Sequence, residues 1–110
     1  MATIAVKQAV ISGTNLSVAG AAAGGDEFVN SDRRTLLIVR INGAVTPTIT
    51  ITPAVQPTPG LNFAPVAFVV AGIGWYVLGP FPPRWFNNAN NRVQITYSGV
   101  TNVFVSPIHI

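Results

Sequence analysis

The hydrophobic positions of this chain recur mainly with a period of two, the pattern of β-strands that bury one face. Residues 46–52 give the clearest case, because their four threonines face one way and their two isoleucines the other. Residues 92–98 alternate in the same manner. Residues 35–42 are almost continuously apolar, as is typical of a strand in the centre of a sandwich. No segment of useful length has helical periodicity.

Proline, glycine and asparagine mark the turns between these segments. Asn42 and Gly43 predict a tight hairpin turn, because both residues accept positive φ. Pro47 and Pro53 bracket the threonine-rich segment, which predicts an edge strand or a strand that starts and stops at these prolines. Loops are expected at residues 20–25, 53–60 and 79–91. Further strands are expected at residues 3–12, 15–19, 63–71, 73–78 and 102–106, of which 63–71 and 73–78 are predicted to be buried.

This succession of short strands and turns predicts an all-β fold. We expect a single domain over residues 1–110, a jelly-roll-like β-sandwich of about eight short antiparallel strands. The 110 residues suffice for one core, and 49% of them are hydrophobic. Residues 1–12 are expected to form an edge strand or an extended arm.

Charge is scarce, which restricts the environment in which the chain can function. Only 8% of the residues are charged, against about 25% in an ordinary soluble domain. Residues 41–83 contain no charge at all. We therefore expect much of the surface to be covered by protein or lipid. Glycines and prolines interrupt the apolar residues 63–83, and each costs a helix about 1 or 3 kcal/mol, so no membrane span is predicted.

The sequence contains no recognisable catalytic or cofactor-binding motif. His109 is the single histidine, and the three carboxylates lie far from it, between residues 26 and 32. A catalytic triad needs a base beside both a carboxylate and a nucleophile. Cysteine is absent and no metal-ligand spacing or phosphate-binding loop occurs. We predict no enzyme, no cofactor and no metal, and an acidic loop paired with Arg33 and Arg34.

Nucleic-acid binding is not predicted either. The net charge of +3 reflects a shortage of acids, and the six basic residues form no stripe. Trp75 and Tyr76 could stack on bases, but they lie in a charge-free strand where burial is expected. Arg84 beside Trp85 is the only local pair of a basic and an aromatic residue.

The most distinctive segment is Gly-Pro-Phe-Pro-Pro-Arg-Trp-Phe-Asn at residues 79–87, called here the aromatic corner. Its prolines fix the backbone and lower the entropy cost of ordering it. Its three aromatic side chains could cap one end of the core, or could anchor an interface, where Trp and Arg are enriched. The front strand, Ala2 to Val10, could pair with the sheet edge of a neighbouring molecule. The candidate partner contacts are therefore Phe81, Arg84, Trp85, Phe86, Ala2, Ile4 and Val6.

A series of short motifs occurs in a characteristic order over residues 24–106. The series is Gly25-Asp26-x-Phe28-x-Asn30, Thr35-x-Leu37-x-Val39-x-x-Asn42, the threonine strand, Gly79-Pro80-Phe81-Pro82 with Phe86-Asn87, Val93-x-Ile95-Thr96-Tyr97-Ser98, and Val103-x-Val105. In order and spacing it resembles small proteins of tailed bacteriophages, many of them capsid decoration or cement proteins. One departure is the run Asn88-Ala-Asn-Asn91, where a glycine is expected before the next strand.

The resemblance implies a jelly roll or related sandwich, a location on the virion at the capsid surface, and no enzyme activity. It implies a virion structural protein that binds the outer surface of a phage capsid, with the major capsid protein as partner, and stabilises it. We expect a homo-oligomer, with a trimer favoured. Two alternatives stay open: a phage tail or head-closure component, and a carbohydrate-binding β-sandwich in which Trp75 and Trp85 stack on sugar rings.

Overall fold

A computed structural model describes residues 1–13, 19–30, 34–53 and 65–110 of the chain. These residues form ten strands and one helical turn. The elements are β1 (Ala2–Thr3), β2 (Lys7–Gln8), β3 (Ala19–Gly20), β4 (Asp26–Val29), β5 (Thr35–Ile41), β6 (Thr48–Thr52), β7 (Val66–Val69), β8 (Gly74–Leu78), α1 (Pro83–Phe86), β9 (Arg92–Tyr97) and β10 (Val103–His109).

The strands form two sheets, so the prediction of an all-β sandwich is confirmed. The first sheet has the order β1-β4-β9-β6-β7, and the second has the order β2-β10-β5-β8, with β3 also beside β10. Pairing is antiparallel except at β1–β4 and β2–β10, which are parallel. Strands with one buried face dictate this architecture, because two such sheets exclude water only when their apolar faces meet.

The order of pairing is nested. β6 pairs with β7, β5 with β8, β4 with β9, and β3 with β10, all antiparallel. The chain thus resembles one long hairpin that has been rolled up, and the additional pairs β5–β10 and β6–β9 close it into two sheets. This topology is that of a jelly roll.

The N-terminal segment forms two short strands, one in each sheet, where a single strand over residues 3–12 was predicted. The amide of Ile4 donates to the carbonyl of Glu27 (2.8 Å), which extends the pairing of β1 with β4. The amide of Ala9 donates to the carbonyl of His109 (2.8 Å), beyond the pairing of β2 with β10. Ile4 and Val6 lie between these bonds and pack against the core. The segment therefore ties the two sheets together.

The core lies between the sheets and is made of the alternating apolar residues that the period of two identifies. On β5 every second side chain from Thr35 to Ile41 is buried. The equivalent residues of β4, β6 and β9 face them from the first sheet, and those of β10 lie beside them in the second sheet. The buried hydrophobic residues are Phe28, Leu37, Val39, Ile41, Ile49, Ile51, Val70, Phe81, Val93, Ile95, Val103 and Val105.

The predicted hairpin turn at Asn42 and Gly43 is wrong. β5 and β6 belong to different sheets, so these residues start a crossing between the sheets, and neither adopts positive φ. A Cβ atom at Gly43 would overlap the side-chain amide of exposed Asn102, which would have to move aside. The threonine-rich strand β6 lies between β9 and β7 rather than at an edge, and it is confined between Pro47 and Pro53.

Two further predictions differ from the structure. Residues 26–29, expected in an acidic loop, form β4 and pair with β9. The segments at 63–71 and 73–78, expected to be buried, contain the edge strands β7 and β8, and Val69, Trp75 and Val77 are more than half exposed. The predicted strand at 15–19, the predicted loop at 53–60 and the predicted partner Arg33 fall largely or wholly outside the described residues.

Candidate protein-binding site

The aromatic corner closes one end of the core. Phe81 is only 5% exposed, and its ring lies 5.7 Å from that of Phe28 and 6.0 Å from that of Phe86. Pro82 and Pro83 start the single turn of α1, as proline does in the first turn of helices, and the amide of Phe86 donates to the carbonyl of Pro82 (3.1 Å). Phe81 and Phe86 are thus part of the fold.

Two buried asparagines hold this corner to β4, and we call them the asparagine clamp (Asn30 and Asn87). The Asn30 amide donates to the carbonyl of Phe81 (2.9 Å) and to Oδ1 of Asn87 (2.8 Å). The Asn87 amide donates in return to the carbonyl of Asn30. Such buried polar groups are tolerated because most of their hydrogen-bonding atoms satisfy one another. Sequence reasoning missed the clamp, although both asparagines belong to the motifs quoted above.

The outward side of the corner carries Arg84 and Trp85. Arg84 is exposed, and its guanidinium carbon lies 4.5 Å from the centre of the Trp85 ring, which is half-buried. This stacking keeps the indole and the cation together at the surface. Their contact with a partner stays a prediction.

The candidate contacts in the N-terminal segment likewise include both exposed and partly buried residues. Ala2 is exposed, whereas Ile4 and Val6 are partly buried against the core of their own chain. Both strands of this segment are already paired inside the sandwich. A role of these residues in partner contact also stays a prediction, but their packing gives them a structural role first.

The outer face of the first sheet is mainly polar, as expected for a sheet that faces water, although Val29 and Val69 are also exposed on it. Because Ile49 and Ile51 point inward, the threonines of β6 point outward, beside the outward residues of β4 and β9. Arg92 of β9 and Glu27 of β4 form an ion pair of 3.1 Å on this face. Gln94 pairs in register with both Glu27 and Thr52.

The outer face of the second sheet is apolar, and this contrast defines the candidate site. Two rows cross the sheet: Phe104, Arg40 and Trp75 are in register, as are Ser106, Ile38 and Val77. Leu36 and Ile108 form part of a third row. We call this surface the apolar face; its residues are Leu36, Ile38, Arg40, Trp75, Val77, Phe104 and Ile108, with Ser106 buried among them.

The accessible part of the apolar face is centred on β8. Trp75 is 57% exposed and Val77 is 60% exposed, whereas the apolar side chains of β5 and β10 are half-buried. The guanidinium carbon of Arg40 lies 5.2 Å from the centre of the Trp75 ring. An exposed indole is thus held against a cation at the surface of the second sheet. Burial of Trp75 was predicted from its charge-free strand, and that prediction is wrong.

Polar pairs elsewhere serve the fold. Asp26 is buried and accepts hydrogen bonds from the Tyr97 hydroxyl (2.8 Å) and the Ala22 amide (3.1 Å). Burial raises the pKa of Tyr97, and its hydrogen bond to Asp26 and the charge of that group raise it further. His109 and Gln8 lie 2.8 Å apart (Nδ1 to Oε1) beside a cavity of about 320 Å³.

Among the described residues, no cluster of three or more histidine, aspartate or glutamate side chains could hold a metal ion. In the same parts of the chain, no helix has the length and apolar character needed to cross a membrane. Comparisons with models of protein families, with curated proteins and with solved structures found no match for this chain.

Proposed function

We propose that this chain is a non-enzymatic structural protein that binds other protein through its apolar face, and that its partner is the outer surface of a phage capsid. The observation that carries the first part is the difference between the two sheets. The first sheet presents mainly polar side chains outward, whereas the second sheet presents mainly apolar ones. An exposed apolar patch on a small domain is typical of an interaction surface.

The composition of the apolar face fits protein binding. Trp75 and Arg40 are of the residue types that contribute most to interfaces, and they are already stacked on each other. Both are held on strands within a sheet, so little side-chain freedom remains to be lost on binding. Arg40 is the single charge among the residues of the apolar face, and Lys7, in register with Ile108, lies at its border, so a partner would desolvate few charges.

The capsid as partner is supported by the resemblance of the motif series. In this fold those motifs lie mainly in the framework: Phe28 and Val93 in the core, Asn30 and Asn87 in the clamp. Arg40 and Trp75 belong to none of them. The framework would therefore be shared with decoration proteins, while the binding face would be particular to this chain.

Stabilisation would follow from mass action. A protein that binds the assembled lattice but not its separated subunits shifts the equilibrium towards the lattice. Many copies on one capsid would each contribute, and a copy that contacts two capsid subunits would oppose their separation.

Cosedimentation with capsids that lack this protein tests the proposal. We expect saturable binding and a higher temperature of capsid disruption for the native chain. The Trp75→Ala variant should bind at least tenfold more weakly, as a hot-spot truncation costs 2 kcal/mol or more. Thr96→Ala, on the polar face of the first sheet, is the matched control. Failure of the folded native chain to bind would overturn the proposal and favour a tail or head-closure position.

Carbohydrate binding is a second candidate because Trp75 is exposed and could stack on a sugar ring. Titration of a glycan panel against tryptophan fluorescence tests it. Quenching that disappears in Trp75→Phe or Trp85→Phe would support a sugar platform at that residue. An unchanged spectrum throughout would remove this candidate.

A further inference from the structure

Strand β8 forms an edge of the second sheet. Among the described residues it pairs with β5 alone, so the N–H and C=O groups of its other side have no strand partner in that part of the chain. The preceding strand, β7, is likewise an edge strand, at one end of the first sheet. The Tyr76 side chain points inward from β8, and the centre of its ring lies 5.4 Å from that of Phe68 on β7. Both rings pack against the core between these two edge strands.

This edge lacks the features that usually prevent association. Edge strands are commonly protected by lysine, proline, bulges or inward-pointing charge. Gly74–Leu78 contains neither a proline nor a charged residue. Ile73, just before it, is 72% exposed, and Trp75 and Val77 follow with more than half of their surface exposed. A strand of this kind is suited to receive another strand.

We propose that the occupant is a second copy of this chain, paired antiparallel through β8 with Tyr76 on the two-fold axis. In that register Trp75 lies opposite Val77 of the second copy, and the reverse pair is formed by symmetry. Two aromatic–β-branched pairs therefore meet on the outer face, and cross-strand pairs of this type stabilise sheets. A shift of one residue would turn these side chains to opposite faces.

Charge does not oppose a second copy at this edge. Each copy carries a net charge of +3, so two copies repel each other at most orientations. β8 itself carries no charge, and Arg40, the cation stacked on Trp75, lies on β5, one strand in from the edge. In the dimer, the second sheets of the two copies would form one continuous sheet, and the two apolar faces would lie side by side on it. It differs from the trimer expected from the sequence, and it does not depend on capsid binding.

Disulfide crosslinking tests the register, because the native chain has no cysteine. A mixture of Trp75→Cys and Val77→Cys chains should oxidise rapidly to a species of twice the 11.5 kDa chain mass. Each variant alone should crosslink at least several-fold more slowly, since residues at diagonal positions are about 7–8 Å apart. The mixed dimer keeps one native pair of Trp75 and Val77. Thr96→Cys is the control for random collision. Equal rates in the mixture and in the single variants would overturn the proposal.

Sedimentation equilibrium of the free protein provides an independent measurement. We expect a concentration-dependent dimer for the native chain, a monomer for Val77→Lys, and a native-like dimer for Thr50→Lys, which adds the same charge to the first sheet. A native monomer at every concentration, or a trimer, would refute pairing through β8. No capsid is present in these assays, so their failure leaves the proposed function standing, and a failure to bind capsids leaves the dimer standing.

Discussion

Replacement of Asn30 by alanine is expected to destabilise the fold by about 3 kcal/mol. The Asn30 side chain is completely buried, and its amide supplies hydrogen bonds to the Phe81 carbonyl and to Asn87 Oδ1. Alanine would leave both acceptors without this donor, and each stranded buried group costs about 1–3 kcal/mol. The same substitution removes Oδ1 of Asn30, a buried atom that accepts no hydrogen bond from the described residues, which offsets part of the loss.

Urea denaturation followed by tryptophan fluorescence and circular dichroism measures this effect. Trp85 belongs to the aromatic corner, so its fluorescence emission should also change if the corner loosens before global unfolding. The matched control is Asn90→Ala, at an exposed position two residues from Arg92, which should change stability by less than about 0.5 kcal/mol. The expected loss is a large share of the roughly 5–15 kcal/mol that stabilises a typical domain.

A double-mutant cycle sharpens the test. Asn87→Ala removes the shared bond as well as the bond to the Asn30 carbonyl, so the combined loss should fall short of the sum of the single losses by about 1 kcal/mol. If Asn30→Ala cost less than about 1 kcal/mol, or if the two losses simply added, the clamp would not be the element that fixes the corner.

Three further outcomes follow from contacts in the structure. Stability should fall as pH rises above about 10, by up to roughly 1.4 kcal/mol per pH unit, because folded Tyr97 retains a proton that the unfolded chain releases; Tyr97→Phe should flatten this part of a pH series of urea midpoints. Phe81→Ala should cost about 3–5 kcal/mol in the same assay, the range for a buried phenylalanine. Gly25→Ala should also destabilise, because its φ of +92° disfavours a side chain and its methyl group would overlap the backbone carbonyl of Ile95; Gly99→Ala, with open space around its Cβ position, is the control and should be nearly neutral.

The fold class could be predicted from the sequence because alternation reports directly which face of a strand is buried. The threonines and isoleucines of β6 are sorted as expected, and Thr35–Ile41 forms the central strand that its apolar run indicates. The pairing of strands could not be predicted in the same way. Asn42-Gly43 suits a hairpin turn locally, but strand pairing in the jelly roll sends the chain to the other sheet at that point.

The candidate site was harder to predict, for a different reason. In residues 74–78 both faces of the strand are apolar, so the sequence contains no polar residue to show which side meets water. For Asp26 the error was the opposite one, because a charged residue expected in a loop is buried. Its carboxylate accepts hydrogen bonds from Tyr97 and Ala22, which sequence spacing does not reveal. Arg40 was the available signal: a charge within the central strand indicates that its row faces outward, although not that Trp75 is its neighbour.

The nested pairing of the strands has a consequence for how this chain folds. β6 and β7 are the innermost partners, while β3 and β10 come from distant parts of the sequence. Closing a long loop costs entropy, but each inner pair that has formed shortens the loop that the next pair must close. Folding should therefore proceed from the middle of the chain outward, slowly, as in other β-proteins dominated by non-local contacts. The parallel strands β1 and β2 would dock last, since neither partner edge exists before β4 and β10 are in place.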